Sequence, residues 1–221
     1  MNFIVNFITK LILFKVAGLL GCLLAIAGVL IAGTAYRGKQ GERYSPLNHF
    51  ISELGERGVS KRAWVFNWGL ILCGILLIPA TVNLGLTLPS LWAKLAIVFA
   101  VITALSLSMV GVFSMDRLKP HGIAAVTFFR AGLLMVFFFS LGFAFQPADY
   151  QVFPRWLALA GLPAIVAFAT FLVLMGKASK TKDEPLEPEK WSRPQVWRMA
   201  ISEWAIFVTI VFWFLVSAVA M

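Results

Sequence analysis

The hydrophobic residues of the chain fall into six long runs, each separated from the next by a polar stretch. The runs lie at about residues 16–36, 64–86, 90–113, 122–145, 156–175 and 199–220. A helix needs about 20 apolar residues to cross the hydrocarbon of a bilayer, so each run is long enough to span a membrane. The pattern therefore predicts an all-α, integral membrane six-helix bundle that forms a single domain over residues 1–221.

Two features modify this simple picture of six straight spans. The apolar segment before the first run, residues 2–14, contains Lys10, and either lies on the membrane surface or extends the first helix. It is not interpreted as a cleaved signal peptide, because a spanning run follows with no small-residue cleavage site before the next polar loop. Pro79 and Pro163 fall inside the second and fifth runs, where each predicts a kink that neighbouring helices compensate.

The longest polar interruption in the first half of the chain is YSPLNHFISELGERGVSKR, from Tyr44 to Arg62. Ser45 suits a helix N-cap, a proline follows at the first helical position, and Gly55 suits the end. Four apolar side chains share one face at helical spacing: Leu47, Phe50, Ile51 and Leu54. The interruption therefore predicts a short amphipathic helix in the first loop, packed across the mouth between the second, fourth and sixth spanning helices.

Composition supports the membrane interpretation and limits the chemistry. Hydrophobic residues make up 60% of the chain and charged residues 13%, whereas soluble domains carry roughly a quarter charged residues. Cys22 and Cys73 both lie inside apolar runs, which favours small core residues over a disulfide or a metal site. No metal-binding spacing of His, Cys or carboxylates occurs, so no metal and no cofactor are predicted.

The net charge of +9 would suggest nucleic acid in a soluble protein. Here the basic residues flank the apolar runs, so membrane orientation and anionic lipid headgroups explain them better, and no nucleic-acid partner is predicted. Six spans place the first, third and fifth loops on one side, where 14 Lys and Arg residues lie, against four on the other side. The positive-inside rule therefore predicts cytoplasmic odd-numbered loops, with both termini outside.

Polar residues that are unusual in such a chain collect near the odd-numbered loops. Eight of them form the predicted ligand-binding set: His49, Glu53, Arg57, Asn67, Asp116, His121, Arg130 and Glu203. A charge inside the hydrocarbon costs at least ~2.5 kcal/mol. Arg130 and Glu203, both inside predicted spans, are therefore expected to pair with each other.

Each of these residues also has a purely structural interpretation. Arg130, paired to Glu203 or Asp116, would lock helices together, and Asn67 would hydrogen-bond another helix. Asp116 would equally close a tight loop. The functional interpretation depends on their collection at one mouth of the bundle.

The two histidines have structural interpretations of the same kind. His49 and Glu53 stand at i and i+4, the spacing of a local stabilising pair on a surface helix. His121 would simply begin the fourth helix.

Two stretches carry a family resemblance. Phe50–Gly55, FISELG, resembles the F-I-S-D-x-G stretch that follows the first helix in the Frag/DRAM/Sfk group of membrane proteins, with Glu53 in place of the usual Asp. Gly111–Asp116, followed by His121–Ala125 and Phe128–Phe129, resembles that group's G-x-F…H-x-x-A…F stretch. The bacterial domain-of-unknown-function family nine-nine-eight (DUF998) is the more similar branch, because it has the same G-x-F-x-x-D…H order.

The resemblance implies a six-helix membrane protein, here of the bacterial inner membrane, and little defined chemistry. Eukaryotic members are linked to lipid-anchor remodelling, lipid asymmetry and autophagy, without an agreed catalytic mechanism. In several of them the Phe-Ile-Ser loop is placed on the lumenal or outer side, whereas the charge count places it in the cytoplasm.

The first functional hypothesis is a lipid-handling protein with a polar, basic cavity on the odd-loop side. Arg57, His121 and Arg130 would contact the phosphate of an anionic headgroup, since guanidinium groups match phosphate oxygens in pairs. Glu53 and Asp116 would orient those bases or take an amine headgroup. Membrane lipids are then the expected partners.

The alternatives are an enzyme and a structural subunit. A membrane-embedded lipid hydrolase or acyltransferase would use His49 or His121 as general base, Asp116 or Glu53 to orient it and Ser52 as nucleophile, although the elbow motif GxSxG is absent. A partner-binding membrane subunit would instead have a dry bundle with these groups paired at the surface, and its protein partner is not specified by the sequence.

Overall fold

The structure, a computed structural model, describes residues 2–181 and 193–220. All regular elements within these residues are helical. The α-helices are α1 (Asn2–Ala35), α2 (Ala63–Thr87), α3 (Leu91–Val112), α4 (Leu118–Ala144), α5 (Leu157–Ala160), α6 (Leu162–Thr181) and α7 (Arg198–Val219). Six stretches are long and apolar enough to cross a membrane, with α5 and α6 together forming the fifth, so the predicted six-span helical bundle is confirmed.

Helix ends and prolines show where the local sequence dictates shape. The segment before the first run extends α1 back to Asn2. The fifth span breaks at Gly161, and Pro163 falls in the first turn of α6, where its missing N–H has no helical partner to lose. By contrast, α2 continues through Pro79 to Thr87.

The six spans form a closed ring around a common core. Each helix packs against its neighbours in the order α1, α2, α3, α4, α6 and α7, and α7 returns to α1. Large aromatic side chains, including Phe139, Phe143, Phe168 and Trp213, are fully buried inside the ring. The outer faces expose residues such as Leu23 and Leu30, both 62% accessible, as expected for surfaces that meet lipid.

Glycines set the closest helix approaches. A Cβ on Gly69 of α2 would lie 2.9 Å from the carbonyl oxygen of Leu24 on α1, and one on Gly74 would lie 2.5 Å from the carbonyl oxygen of Ala104 on α3. Small residues are what allow backbones to meet this closely in membranes. The α1–α2 and α2–α3 seams are accordingly extensive, while the α1–α7 seam is the least extensive of the ring.

The first loop differs from the predicted amphipathic helix. Only Ile51–Gly55 is helical, as a single 3₁₀ turn, and it packs against α1, α2 and α7. Leu47 is 54% exposed and Leu54 is fully buried, while the polar Ser52 and Glu53 are buried as well, so burial does not follow the predicted apolar face. The polar side chains lie inside because specific partners satisfy them there.

The composition of the Lys177–Arg198 loop, rich in Lys, Glu and Pro, predicts a mobile segment, but residues 182–192 of this loop lie outside the described residues. The segment that precedes α7 returns to the first loop. There the N–H of Trp197 donates to the carbonyl oxygen of Leu47 over 2.8 Å.

Candidate functional site

The first and fifth loops are joined by an ion pair between the buried Glu53 and the half-buried Arg193. The guanidinium donates from Nη1 to Oε1 over 3.0 Å and from Nη2 to Oε2 over 2.9 Å, and Nη1 also reaches the carbonyl oxygen of Asn48 at 2.7 Å. The N–H of Phe50 donates to Oε1 of Glu53 over 2.9 Å, and the Tyr36 hydroxyl lies 3.4 Å from Oε2. Glu53 is thus a structural centre of the first loop, with its oxygens occupied.

Two tyrosines complete this contact between the first and fifth loops. We call the whole contact the loop clamp; it consists of Tyr36, Tyr44, His49, Glu53, Arg193 and Trp204. The Tyr44 hydroxyl donates to the carbonyl oxygen of Phe50 over 2.9 Å and accepts the Nε1–H of Trp204 over 3.0 Å. Burial raises the pKa of both Tyr36 and Tyr44, and nearby carboxylates add to the shift. Both phenols therefore remain neutral hydrogen-bond donors.

His49 belongs to the same clamp. Its ring packs against those of Tyr36 and Tyr44, with centroids 5.4 and 5.2 Å away. Its Nδ1 lies 2.8 Å from Oδ1 of Asn48, while its buried Nε2 makes no hydrogen bond and lies 3.8 Å from a carboxylate oxygen of Glu42. Burial lowers the pKa of His49, with Glu53 opposing the shift. The imidazole is therefore a packed part of the loop.

Glu203 anchors the first loop to α7. The Ile51 N–H donates to its Oε2 over 2.7 Å, and the hydroxyl and N–H of Ser52 lie beside the same carboxyl group. The predicted Arg130–Glu203 pair is wrong, because Arg130 is exposed on α4 and forms no ion pair with Glu203 or Asp116 in the part of the chain that the structure describes. Peptide N–H groups of the loop meet the carboxyl group instead.

Asn67 provides a further anchor for the loop, because its Nδ2 donates to the carbonyl oxygen of Gly55 over 3.0 Å. A Cβ on Gly55 would lie 2.9 Å from the Phe66 ring, so only a glycine allows this approach to α2. Asn67 therefore joins the end of the 3₁₀ turn to α2, which is the structural role considered for it.

The third loop is held by a hydrogen bond within the loop, at the exposed end of the bundle. Asp116 is exposed and accepts a hydrogen bond from the Ser114 hydroxyl. Its burial is slight and would raise its pKa, but the bond from Ser114 and the neighbouring Arg57 hold that pKa below its usual value. Arg57, also exposed, donates to the carbonyl oxygen of Val112 over 3.3 Å. These residues therefore join the first and third loops.

His121 is oriented by the same third loop. Its Nδ1 lies 2.7 Å from the carbonyl oxygen of Phe113. A carbonyl oxygen only accepts, so Nδ1 must carry the hydrogen, and Nε2 of the neutral ring keeps its lone pair. This is the only hydrogen bond of His121 among the described residues, so Nε2 is left free.

A cavity of about 100 Å³ lies in the middle of the ring, covered by the first loop. Its walls are almost wholly apolar and come from α1, α2, α3, α4, α6 and α7. Ser52, His121 and Glu203 contribute polar groups at the odd-loop end, and no lysine or arginine of residues 2–181 and 193–220 lines the cavity. Thr103 contributes a hydroxyl that already donates to the carbonyl oxygen of Phe99 over 2.7 Å. The arrangement suits an apolar chain with a polar end.

The cavity gathers only part of the site predicted from the sequence. His121 and Glu203 line it, together with the candidate nucleophile Ser52. The others lie elsewhere: His49 and Glu53 in the loop clamp, Asn67 against Gly55, Arg57 and Asp116 on the third-loop surface, and Arg130 on the outer face of α4. The eight residues do not form one basic pocket.

The arrangement of a serine nucleophile with a histidine base is not formed. The hydrogen bonds of His49 and His121 go to Asn48, to the backbone of Ser45 and to Phe113, and none goes to Ser52. Within residues 2–181 and 193–220, no group of three His, Cys, Asp or Glu residues is placed to hold a metal ion.

The sequence-based reasoning missed Arg193, Tyr36, Tyr44 and Trp204. Arg193 was counted only as a charge that orients the chain. Several basic residues in the fifth loop and several glutamates in the first lie on the same side, so the sequence carries no signal that singles out this pair. The aromatic residues carried no signal beyond their position at the membrane boundary.

Comparison with known proteins identifies the family of the chain. The family model described as "Protein of unknown function (DUF998)" matches residues 19–220, which is nearly the whole chain. A search of curated proteins and a search of solved structures each found no match. The relation to the Frag/DRAM/Sfk group stays a prediction. The chain, a six-span helical protein with an apolar cavity under its first loop, belongs to the DUF998 family.

Proposed function

We propose that this protein binds a membrane lipid by taking its apolar chain into the central cavity, with the polar end at Ser52, His121 and Glu203. The observation that carries this proposal is the asymmetry of the cavity. Apolar side chains line its length, and polar groups line the end that the first loop covers. Such a division matches an amphiphile that lies along the membrane normal.

The apolar walls favour a hydrocarbon chain over water. Leu70, Leu77, Phe129 and Phe168 offer no hydrogen-bond partners, and a buried water needs two to four polar contacts. Each methylene group transferred from water into such a site contributes roughly 0.8 kcal/mol. A lipid that enters from the bilayer does not gain this transfer free energy, because its acyl chain is already in hydrocarbon. Selectivity among lipids must therefore come from the shape of the cavity and from its polar end.

The ring offers a lateral route to the cavity. The α1–α7 seam is the least extensive of the ring, and Phe207, Ile210 and Val211 of α7 are half-buried residues that line the cavity. Phe14 and Phe214 close the same seam farther along, with ring centroids 6.4 Å apart. A lipid entering between α1 and α7 would not need to cross water.

The orientation proposed with this function has the first, third and fifth loops in the cytoplasm of a bacterial inner membrane and both termini outside. The excess of basic residues on the odd-loop side supports it. A cysteine introduced at the exposed Lys61 tests it. A membrane-impermeant maleimide should label that cysteine in inverted vesicles and not in intact cells, and labelling in intact cells would reverse the orientation.

Photocrosslinking provides the test of lipid binding. In nanodiscs, an alkyl chain bearing a diazirine should crosslink to cavity-lining residues such as Leu70 and Ile210, and an excess of an unlabelled amphiphile should reduce this crosslinking.

The control is crosslinking to an outward-facing residue such as Leu30, which the unlabelled amphiphile should not reduce. If the diazirine crosslinks only to outward-facing residues, or if the amphiphile leaves crosslinking to Leu70 and Ile210 unchanged, the cavity does not bind lipid.

A further inference from the structure

We infer that the amphiphile bound in this cavity carries a protonated amine, and that Glu203 is its counter-ion. This inference rests on the proposed function and specifies the ligand class of the same site. The ligand is then a cationic amphiphile with an apolar chain and an ammonium end, and not the phosphate-bearing molecule expected from the sequence.

The first reason is that Glu203 has no cation of its own. It is 7% exposed and lines the cavity. Arg193, which the described part of the fifth loop brings to this region, uses both Nη atoms on Glu53. No lysine, arginine or histidine among the described residues forms an ion pair with Glu203. A buried carboxylate without a cation is costly, and a ligand cation would supply the missing charge.

The second reason is that the polar end of the cavity offers acceptors more than donors. Nε2 of His121 keeps a free lone pair because Nδ1 carries the hydrogen. The hydroxyl of Ser52 is already hydrogen-bonded to Glu203, so it adds no free donor at this end. A primary ammonium group supplies three donors and no acceptor, so it complements such a surface.

The third reason argues against an anionic end. A phosphate would meet the Glu203 carboxylate in a cavity that no lysine or arginine from the described part of the chain lines. Arg57 and Arg130, which were expected to contact phosphate, are exposed outside the cavity. Like charges at a site of low dielectric repel strongly, so the cavity selects against phosphate.

The experiment compares amphiphiles that share one chain and differ only at the polar end. Dodecylamine, dodecanol and dodecyl phosphate compete with the diazirine probe for the protein in nanodiscs of zwitterionic lipid near neutral pH, where an alkylamine is protonated. The variants are the wild type, Glu203→Gln, and Asp149→Asn as the matched control on an exposed carboxylate. The side chain introduced by Glu203→Gln carries no charge, yet its amide oxygen can still accept from the N–H of Ile51.

We expect dodecylamine to compete at least about tenfold more strongly than dodecanol in the wild type, as a close charge pair would provide. Dodecyl phosphate should compete less strongly than the alcohol. E203Q should remove the preference for the amine over the alcohol, while D149N should behave as the wild type.

The outcomes separate this inference from the proposed function. If the amine and the alcohol compete equally in the wild type, or if the amine preference persists in a folded E203Q protein, the counter-ion role of Glu203 is wrong while lipid binding stands. If none of the three competes, both proposals fail. Should E203Q not fold, the order of the three compounds on the wild type still decides the charge preference.

Discussion

The backbone N–H of Ile51 donates to the carboxylate of Glu203 over 2.7 Å and joins residues that are 152 positions apart. This bond attaches the 3₁₀ turn of the first loop to the first turns of α7. The same carboxylate lines the cavity below. The Glu203 side chain therefore both holds the first loop over the cavity and lines the cavity. A ligand that pairs with Glu203 would act directly on the hydrogen bond that attaches the loop to α7.

The Glu53–Arg193 pair should contribute measurably to stability. Glu53→Ala leaves the Arg193 guanidinium without its carboxylate, and Arg193→Ala leaves the Glu53 carboxylate without its cation. Each single variant should therefore lower the free energy of unfolding by on the order of 3 kcal/mol. Thermal unfolding in detergent, as a double-mutant cycle, should give a coupling of about 2 kcal/mol.

The matched control is the Lys39–Glu56 pair, whose atoms are 3.5 Å apart and whose lysine side chain is 50% exposed. Its coupling should not exceed about 1 kcal/mol. Equal coupling energies for the two pairs would mean that the clamp between the first and fifth loops does not stabilise the fold.

His49 should make stability depend on pH. Burial lowers its pKa in the folded protein, so the unfolded chain binds a proton that the folded chain excludes. The contribution of His49 to stability is complete above the ordinary pKa of 6.5 and is lost as the pH falls from there through the lowered value. The variant His49→Asn keeps a polar amide group near the position of Nδ1, but that amide does not bind a proton in this pH range.

Thermal unfolding from about pH 7.5 to about pH 5.5 checks this, since the window contains the ordinary histidine pKa. The midpoint of H49N should fall less over this window than that of the wild type. His121 is present in both proteins, so the difference isolates His49. Parallel pH profiles would contradict the buried neutral imidazole.

Gly74 should not tolerate even a methyl group. In Gly74→Ala the new Cβ would lie 2.5 Å from the carbonyl oxygen of Ala104 and 2.9 Å from the N–H nitrogen of Ser108, so α2 and α3 must separate. Overpacking of this kind costs roughly 1–3 kcal/mol. The control is Gly33→Ala in α1, where nothing lies within 4 Å of the added atom and the helix should gain up to about 1 kcal/mol. A neutral G74A would show that the seam is loosely packed.

Gln146 should organise the fourth loop. Its Nε2 donates to the carbonyl oxygens of Phe143 and Phe153, both over 2.9 Å, and its Oε1 accepts from the N–H groups of Val152 and Phe153 at 2.9 and 3.0 Å. Gln146→Ala removes all four bonds and should lower the free energy of unfolding by on the order of 3 kcal/mol.

The exposed Gln151 provides the control for this variant, because it makes one bond, to the carbonyl oxygen of Phe153 over 3.1 Å. Gln151→Ala should change stability by less than about 0.5 kcal/mol. Similar losses for the two alanine variants would assign no special role to Gln146.

Some site residues were recognisable from the sequence and others were not. Glu203 and His121 stand out because charged and titratable groups are rare in an apolar chain, and both line the cavity. The pairing of Glu203 was wrong, because helical position fixes the depth of Arg130 and not the face on which it lies. Arg193 was not recognisable as a partner of Glu53, because 140 residues separate them and a contact between loops leaves no local pattern.

The chain by itself determined six spans, because every backbone polar group in hydrocarbon must be satisfied within a helix and run length alone shows where such helices lie. It also determined which end of the bundle collects the polar residues, since the parity of the spans places the odd-numbered loops together. Only the tertiary structure decided that Glu53 joins Arg193, that Glu203 meets a peptide N–H and that the enclosed space is apolar. Those outcomes depend on the rotation of each helix about its axis and on the path of two loops, which packing of the whole ring sets.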